Sequence, residues 1–284
     1  MKQAAKEALI SRILLMTALS SVGALTLITI FIFAEGLPVI FKTGLFDFIF
    51  GTKWKPLKGI FSIFPMIVGS FAVMTGAMLV SVPVALCSSI YLSEFAGRNT
   101  RAIVKPAIEL LAGIPSVVYG FIGVTVIAPF IKNYIGGNGF SVLSCSLVLG
   151  IMVLPTINSI AYDALRAVPD SYREGALALG ATRWQAVKMA VVPAAGSGII
   201  AAVILGMGRA IGETMAVIMI AGNSLIIPLT PLDPLRTLTG NIALEMGYAS
   251  GMHRQALFAT GAVLFVIIMA LNILATRVIK RAVR

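Results

Sequence analysis

Long apolar stretches separated by short polar segments run along most of the chain. A bilayer core of about 30 Å is crossed by roughly 20 consecutive apolar residues in a helix. Six stretches meet that requirement, and we predict transmembrane helices near residues 13–34, 59–92, 110–131, 141–161, 195–222 and 256–276. The second stretch is too long for a simple crossing, so we expect tilt or an interfacial end. The pattern predicts an all-α integral membrane protein with a single transmembrane domain over residues 1–284.

Composition and charge placement agree with this interpretation. Hydrophobic residues make up 58% of the chain and charged residues 12%. The net charge of +11 could indicate a nucleic-acid partner, but 14 basic residues fall on one side of the predicted spans and 7 on the other. Because basic residues accumulate in cytoplasmic loops, we expect both termini in the cytoplasm. We therefore predict a multi-pass protein of the cytoplasmic (inner) membrane that contacts lipid and binds no nucleic acid.

Motifs for catalysis are missing from the sequence. There is no Gly-Lys dipeptide and hence no P-loop, and neither H-E-x-x-H nor Cys-x-x-Cys occurs. Cys87 and Cys145 both fall within predicted spans, where we expect buried, inert thiols. We expect the single His253, in an outside loop, to be solvated or interfacial. The chain is thus predicted to have no enzymatic activity and no metal or cofactor of its own.

Arg209 and Glu213 are the only charged residues well inside a predicted span. At i, i+4 spacing they would share one helix face and could pair. A central charge costs about 2.5–3.5 kcal/mol on insertion scales, so they should face protein or a wet pathway. An ion pair that only fixes packing is one interpretation, since the Gly208-x-x-x-Gly212 spacing allows close helix contact. We favour a gate or transient anion site, in which Arg209 attracts an oxyanion and Glu213 neutralises it when the site is empty.

The inside loop at residues 163–194 predicts two short helices that meet at a glycine. Ser171 and Glu174 have the spacing of a capping box, and Thr182 and Gln185 repeat it. Gly180 lies between them, where the first helix needs a left-handed residue to end. A polar helical loop between membrane spans indicates contact with a soluble partner.

Two outside segments are also distinctive. We expect the aromatic rings of residues 35–58 to lie at the headgroup level; these are Phe41, Phe46, Phe48, Phe50 and Trp54. The 33-residue segment 223–255 is compatible with a re-entrant element or with a plain surface loop. Both alternatives stay open at this point.

The inside loop resembles the EAA motif of ABC-importer permeases, in which Glu-Ala-Ala is followed by a glycine and later by a proline. Glu174, Ala176, Gly180 and Pro193 match that motif in register, and Gly175 replaces its first alanine. The resemblance implies that these five residues couple the chain to a separate ATPase. We therefore call residues 163–194 the coupling loop.

More narrowly, residues 12–280 are similar to the C-type permease subunit of phosphate (Pst) ABC importers. The resemblance rests on the stretches FGTKWKP at 50–56, IPSVVYG at 114–120 and GRAIGET at 208–214. It implies a MetI-like type I importer permease with six transmembrane helices. It also implies a heterodimer with a companion A-type permease, two ATPase subunits that bind ATP and Mg, and an extracytoplasmic phosphate-binding protein. The family's intramembrane Arg and Glu map onto Arg209 and Glu213, which implies that phosphate passes them.

Two alternatives to phosphate import remain. The cargo could be another oxyanion, such as sulfate, molybdate or phosphonate, because one arginine does not distinguish among them. The chain could also be a membrane scaffold that senses phosphate without carrying it.

Overall fold

The structure, a computed structural model, describes residues 2–282, and the described chain is mostly helical. The helices are α1 (Lys2–Thr43), α2 (Leu45–Phe50), α3 (Phe64–Ile90), α4 (Arg98–Ala112), α5 (Ser116–Ile122), α6 (Ala128–Tyr134), α7 (Val142–Arg166), α8 (Asp170–Ala178), α9 (Arg183–Ala186), α10 (Val192–Ala194), α11 (Gly196–Gly212), α12 (Met215–Ile220), α13 (Leu238–Glu245) and α14 (Gly251–Ala282). Five helices within the described residues are long and apolar enough to cross a membrane, or six if one bent pair counts as a span. This confirms the predicted all-α membrane fold.

The central contact of the molecule is between α3 and α7. Small residues let the backbones of the two helices approach closely. A Cβ added at Gly76 would lie only 2.7 Å from Ser146 Cβ, which shows how little space separates them. Leu149, Met152 and Val153 of α7 are buried in the same hydrophobic core as Val73, Met74 and Ala77 of α3. α11 packs against both α7 and α3, and α14 packs against α11. α3, α7 and α11 therefore form the core around which the other helices lie.

α1 lies at the edge of the molecule and packs mainly along α14. It is longer than the predicted span 13–34, because it continues through Pro38 to bury Val39 and Ile40 against α14 and the first outside segment. Most of its apolar side chains are exposed in the isolated chain, including Leu14 and Leu27. Such a surface is suited to lipid or to another membrane subunit.

The predicted span 110–131 begins too early. Residues 110–112 belong to α4, an amphipathic helix that ends before Pro115. The crossing helix starts at Ser116 and runs through α5, a π-helical turn at Gly123–Ile127, and α6. Proline disfavours helical backbone in the residue before it, so it separates two helices that have one continuous apolar sequence.

The predicted span 195–222 is also interrupted. α11 ends at Gly212, Glu213 is extended (φ −68°, ψ 133°), and α12 begins at Met215. We call residues 213–214 the α11–α12 break. At its other end, α11 is bent by 69° from the last helices of the coupling loop, Arg183–Ala194. This is the bent pair that raises the number of candidate spans to six.

The 223–255 segment returns into the protein. Leu238 and Asn241 of α13 are fully buried, and the backbone N–H of Leu238 donates to Ser70 Oγ of α3 at 3.0 Å. The structure therefore favours the re-entrant alternative over a surface loop. Phe48 and Trp54 are buried in a cluster with Leu238 of this segment, so their rings do not face lipid; the headgroup level of the aromatic residues stays a prediction.

Candidate functional site

Arg209 lies in the last turn of α11, half-buried against α7. Its Nη1 donates to Thr156 Oγ1 at 2.8 Å. Close packing positions this contact, because a Cβ at Gly206 would meet the Ile157 side chain at 2.6 Å. A guanidinium carries five N–H donors, and a threonine hydroxyl is a neutral acceptor. Arg209 therefore has donors and charge to offer an anion.

Glu213 does not pair with Arg209. Its Oε1 accepts from the backbone N–H of Ala216 at 3.2 Å, in the first turn of α12. Its carbonyl oxygen accepts from Thr239 Oγ1 at 2.9 Å. No ion pair joins the two residues within the part of the chain that the structure describes. The predicted i, i+4 pair is thus wrong, because the helix ends between them and the carboxylate turns to the next helix.

A second cluster, which the sequence did not indicate, surrounds Glu245 at the end of α13. This carboxylate is 6% exposed. Its Oε1 accepts from Arg236 Nη1 at 2.6 Å, and its Oε2 accepts from Trp54 Nε1 at 2.8 Å. His253 Nε2 lies 2.7 Å from the same Oε2 and its side chain is half-buried, so it is not a freely solvated residue; an interfacial position stays a prediction. We call these residues the Glu245 cluster. They join the first outside segment, the 223–255 segment and the start of α14.

The two cysteines differ in their surroundings. Cys145 on α7 is buried, as expected, whereas Cys87 on α3 is exposed on the surface of the isolated chain. Their positions on these helices suggest no shared site.

The coupling loop has the predicted helix–glycine–helix form. Gly180 has φ +87°, a left-handed conformation. Thr182 and Gln185 form a reciprocal capping box that starts α9. The Ser171–Glu174 box is wrong, because the N-cap of α8 is Pro169, two residues before Ser171, and α8 has no side-chain cap. The backbone turn at Gly180 separates α8 from α9.

The residues matched to the EAA motif lie on the outside of this loop. Glu174, Gly175, Gly180 and Pro193 are exposed, and Ala176 is half-buried. Several large apolar side chains beside them are also exposed, among them Leu179 at 91%. An exposed apolar patch on a polar loop indicates a protein-binding surface. That the five residues contact an ATPase stays a prediction.

The fold, with five or six apolar helices and an exposed helical loop, defines a polytopic membrane protein. The chain belongs to the family of binding-protein-dependent transport system inner membrane components, whose sequence profile matches residues 85–284. As a member with several apolar helices, it is a multi-pass inner-membrane protein.

Individual relatives agree with this assignment. The chain is 42% identical over 256 residues to the probable ABC transporter permease protein YqgH of Bacillus subtilis. The alignment covers 88% of this chain and 83% of that one. It is 37% identical over 258 residues to the phosphate transport system permease protein PstC of Xylella fastidiosa, with 84% and 80% covered. The resemblance to C-type phosphate permeases is thereby confirmed.

The MetI-like fold is confirmed by a solved structure. The inward-facing MetNI methionine ABC transporter aligns with a TM-score of 0.60 and 18% identity, over 78% of this chain and 94% of that one. Because identity is this low, the likeness concerns the fold and not the cargo.

Proposed function

We propose that this chain is the C-type permease subunit of an ATP-driven importer that carries inorganic phosphate across the cytoplasmic membrane. The observation that carries the proposal is Arg209, a cation beside a helix break, whose side-chain hydrogen bond is to a neutral hydroxyl. Its potential counter-ion, Glu213, is bonded to α12 instead. Relatives named as phosphate permeases support the cargo.

The electrostatics of the break suit a transient oxyanion site. A charge at membrane depth is costly and usually faces a pathway or a partner. An oxyanion would supply the missing negative charge and accept the remaining N–H donors of Arg209. Thr156 accepts from Arg209 and still has its own hydroxyl hydrogen to donate. A single guanidinium holds the anion weakly enough for it to leave, which transport requires.

The proposed assembly contains a companion A-type permease, two ATPase subunits and an extracytoplasmic phosphate-binding protein. The exposed coupling loop supports an ATPase contact, and the ATPases would bind ATP and Mg. Exposed apolar side chains on α5 and α6, including Val117, Phe121 and Phe130, support a membrane partner there. Both termini are placed in the cytoplasm on the basis of the basic residues.

Arg209→Gln tests the proposal in the complete transporter, reconstituted into vesicles with ATP on the ATPase side and binding protein outside. We expect phosphate uptake to be abolished while the subunits still copurify. Arg254→Gln is the matched control, since Arg254 is an exposed arginine on α14, and its uptake should be normal. Normal uptake by Arg209→Gln would return Arg209 to a packing role. If the unmodified transporter carried labelled sulfate or molybdate but not labelled phosphate, another cargo would be identified.

A further inference from the structure

A buried carboxylate lies where α3 ends, at the side of the molecule that carries the coupling loop. Glu94 belongs to the π-helical turn Tyr91–Phe95 that continues α3, and it is only 8% exposed. A carboxylate removed from water needs a charged or multiply hydrogen-bonded partner. The partner therefore shows which element is tied to this end of α3.

Arg173 of the coupling loop is that partner. Its Nη2 donates to Glu94 Oε1 at 2.7 Å, and its Nε donates to Oε2 at 3.0 Å, which is a bidentate arrangement. The same guanidinium donates to the carbonyl oxygens of Leu165 at 3.0 Å and Val168 at 2.7 Å, where α7 ends. The hydrogen bond to Glu94 raises the pKa of Arg173 above its usual value. One side chain thus connects α8 to the ends of α3 and α7.

α8 depends on this connection because it has no buried residue of its own. Only 17% of the Arg173 side chain is exposed. Asp170, a second carboxylate 3.2 Å from the same guanidinium, has a side chain that is 83% exposed. Exposed ion pairs contribute little, since water screens them. Of these two ion pairs, only the Glu94 pair joins α8 to the membrane helices, where it acts together with the hydrogen bonds from Arg173 to the end of α7.

The second helix of the coupling loop contacts the same turn. Arg183 donates to the carbonyl oxygen of Glu94, and its guanidinium lies 5.2 Å from the centre of the Phe95 ring. The Trp184 ring lies 6.2 Å from that of Phe95. Both helices that flank Gly180 are therefore attached to the end of α3.

α3 connects this turn to the α11–α12 break. It is one helix, packed along α7 over its length. Near its start, Ser70 Oγ accepts from the N–H of Leu238. The next residue, Thr239, donates to the carbonyl oxygen of Glu213 at the break. A displacement of α3 along its axis would therefore reach the segment that borders the proposed anion route.

We propose that the Glu94–Arg173 pair is the joint through which the coupling loop moves α3, and with it the segment bordering the break. Glu94 is a positioning residue in this role, because it acts through α3 and does not touch the cargo. The proposal rests on the proposed function, which supplies an ATPase that moves the loop. Loss of the joint uncouples ATP hydrolysis from uptake without removing the anion site.

The test measures phosphate uptake and ATP hydrolysis in the same vesicles, using the complete transporter. Glu94→Gln removes the charge, and Arg173→Lys keeps the charge but loses the planar fork. Asp170→Asn is the matched control, because it removes the exposed partner of the same guanidinium. Coupling free energies typically correspond to about 5–150-fold effects, so we expect the first two variants to lower the phosphate carried per ATP by at least about fivefold. The control should leave that ratio unchanged.

If Glu94→Gln and Arg173→Lys leave the phosphate carried per ATP unchanged, the proposal is refuted. This holds whether the rates of uptake and hydrolysis stay normal or fall together. If Glu94→Gln does not assemble, Glu94→Asp replaces it, since the shorter side chain also breaks the bidentate geometry and must lower the ratio. Failure of the unmodified transporter to carry phosphate refutes the proposed function instead. The amount of oxyanion carried per ATP is then measured with whichever oxyanion stimulates ATP hydrolysis. This tests the role of the Glu94–Arg173 pair independently of the identity of the cargo.

Discussion

Replacing Glu245 with glutamine tests how the 223–255 segment is held beside the break. Glutamine keeps the shape of glutamate but offers one acceptor oxygen and one NH2 donor group. If the oxygen faces Arg236, the NH2 group meets the Trp54 N–H; if the amide is turned, the NH2 group meets the guanidinium. A buried donor loses its acceptor in either orientation. The segment should therefore be less firmly attached.

The magnitude follows from the burial of the Glu245–Arg236 pair. Removing one partner of a buried ion pair costs about 3–5 kcal/mol. Trp54→Phe removes a single hydrogen bond to a charged acceptor, worth about 1.5–3 kcal/mol, and keeps an aromatic ring against Phe61. We expect Glu245→Gln to lower the free energy of unfolding by about 3 kcal/mol, since the amide retains part of the bonding. Its effect should exceed that of Trp54→Phe.

The assay is urea unfolding of the purified chain in detergent micelles, followed by the helical circular-dichroism signal. Tyr248→Phe is the matched control, because Tyr248 is 70% exposed and its hydroxyl has no hydrogen bond within the described residues. Its free energy of unfolding should change by less than about 0.5 kcal/mol. If Glu245→Gln were as stable as Tyr248→Phe, the carboxylate would not hold the cluster together and the reasoning would be refuted.

Two further predictions concern the coupling loop and the break. Gly180→Val places a β-branched residue at φ +87°, which costs about 1–2 kcal/mol and should reduce uptake per ATP hydrolysed; Gly180→Asn, which tolerates this conformation, should largely retain it. Glu213→Gln keeps an oxygen that can accept from Ala216 N–H, whereas Glu213→Ala does not. If capping α12 is the role of Glu213, vesicle uptake should survive the first change and fall with the second; equal loss would show that its charge is needed.

Local features of the fold could be predicted because their causes lie within a few residues. Apolar stretches indicated the membrane helices, since about 20 such residues suffice to cross the bilayer. The turn at Gly180 and the capping box of Thr182 and Gln185 follow from backbone preferences and short hydrogen bonds. The presence of the membrane helices, the turn and the capping box is therefore predictable from neighbouring positions, although the bounds of the helices are not.

Hydropathy does not predict where a helix ends within an apolar stretch, because it depends on side-chain polarity and not on backbone conformation. The sequence around residues 110–116 stays apolar across the end of α4, and the stretch 195–222 contains two helices. The prediction of an Arg209–Glu213 pair is wrong for the same reason. Its i, i+4 geometry assumed a helix that ends at Gly212.

Contacts between distant residues had no sequence signal. Glu94 and Arg173 are 79 positions apart, and Trp54 and Glu245 are 191 apart. No spacing rule relates such positions, and the charges in question appear in loops, where solvated side chains are the ordinary expectation. Only the packing of α3, α13 and the two loops brings them together.

The same electrostatic rule explains both buried carboxylates and bears on Arg209, which lies beside a helix break within an apolar stretch. Acidic residues are scarce in this chain, 11 against 22 basic ones. Glu94 and Glu245 are buried, and each has an arginine within 2.7 Å, which offsets the cost of removing the charge from water. Arg209 lies half-buried between helices, and within the described residues no carboxylate pairs with it. Arg209 can therefore offer its charge to an oxyanion, and the proposed function assigns that place to the cargo.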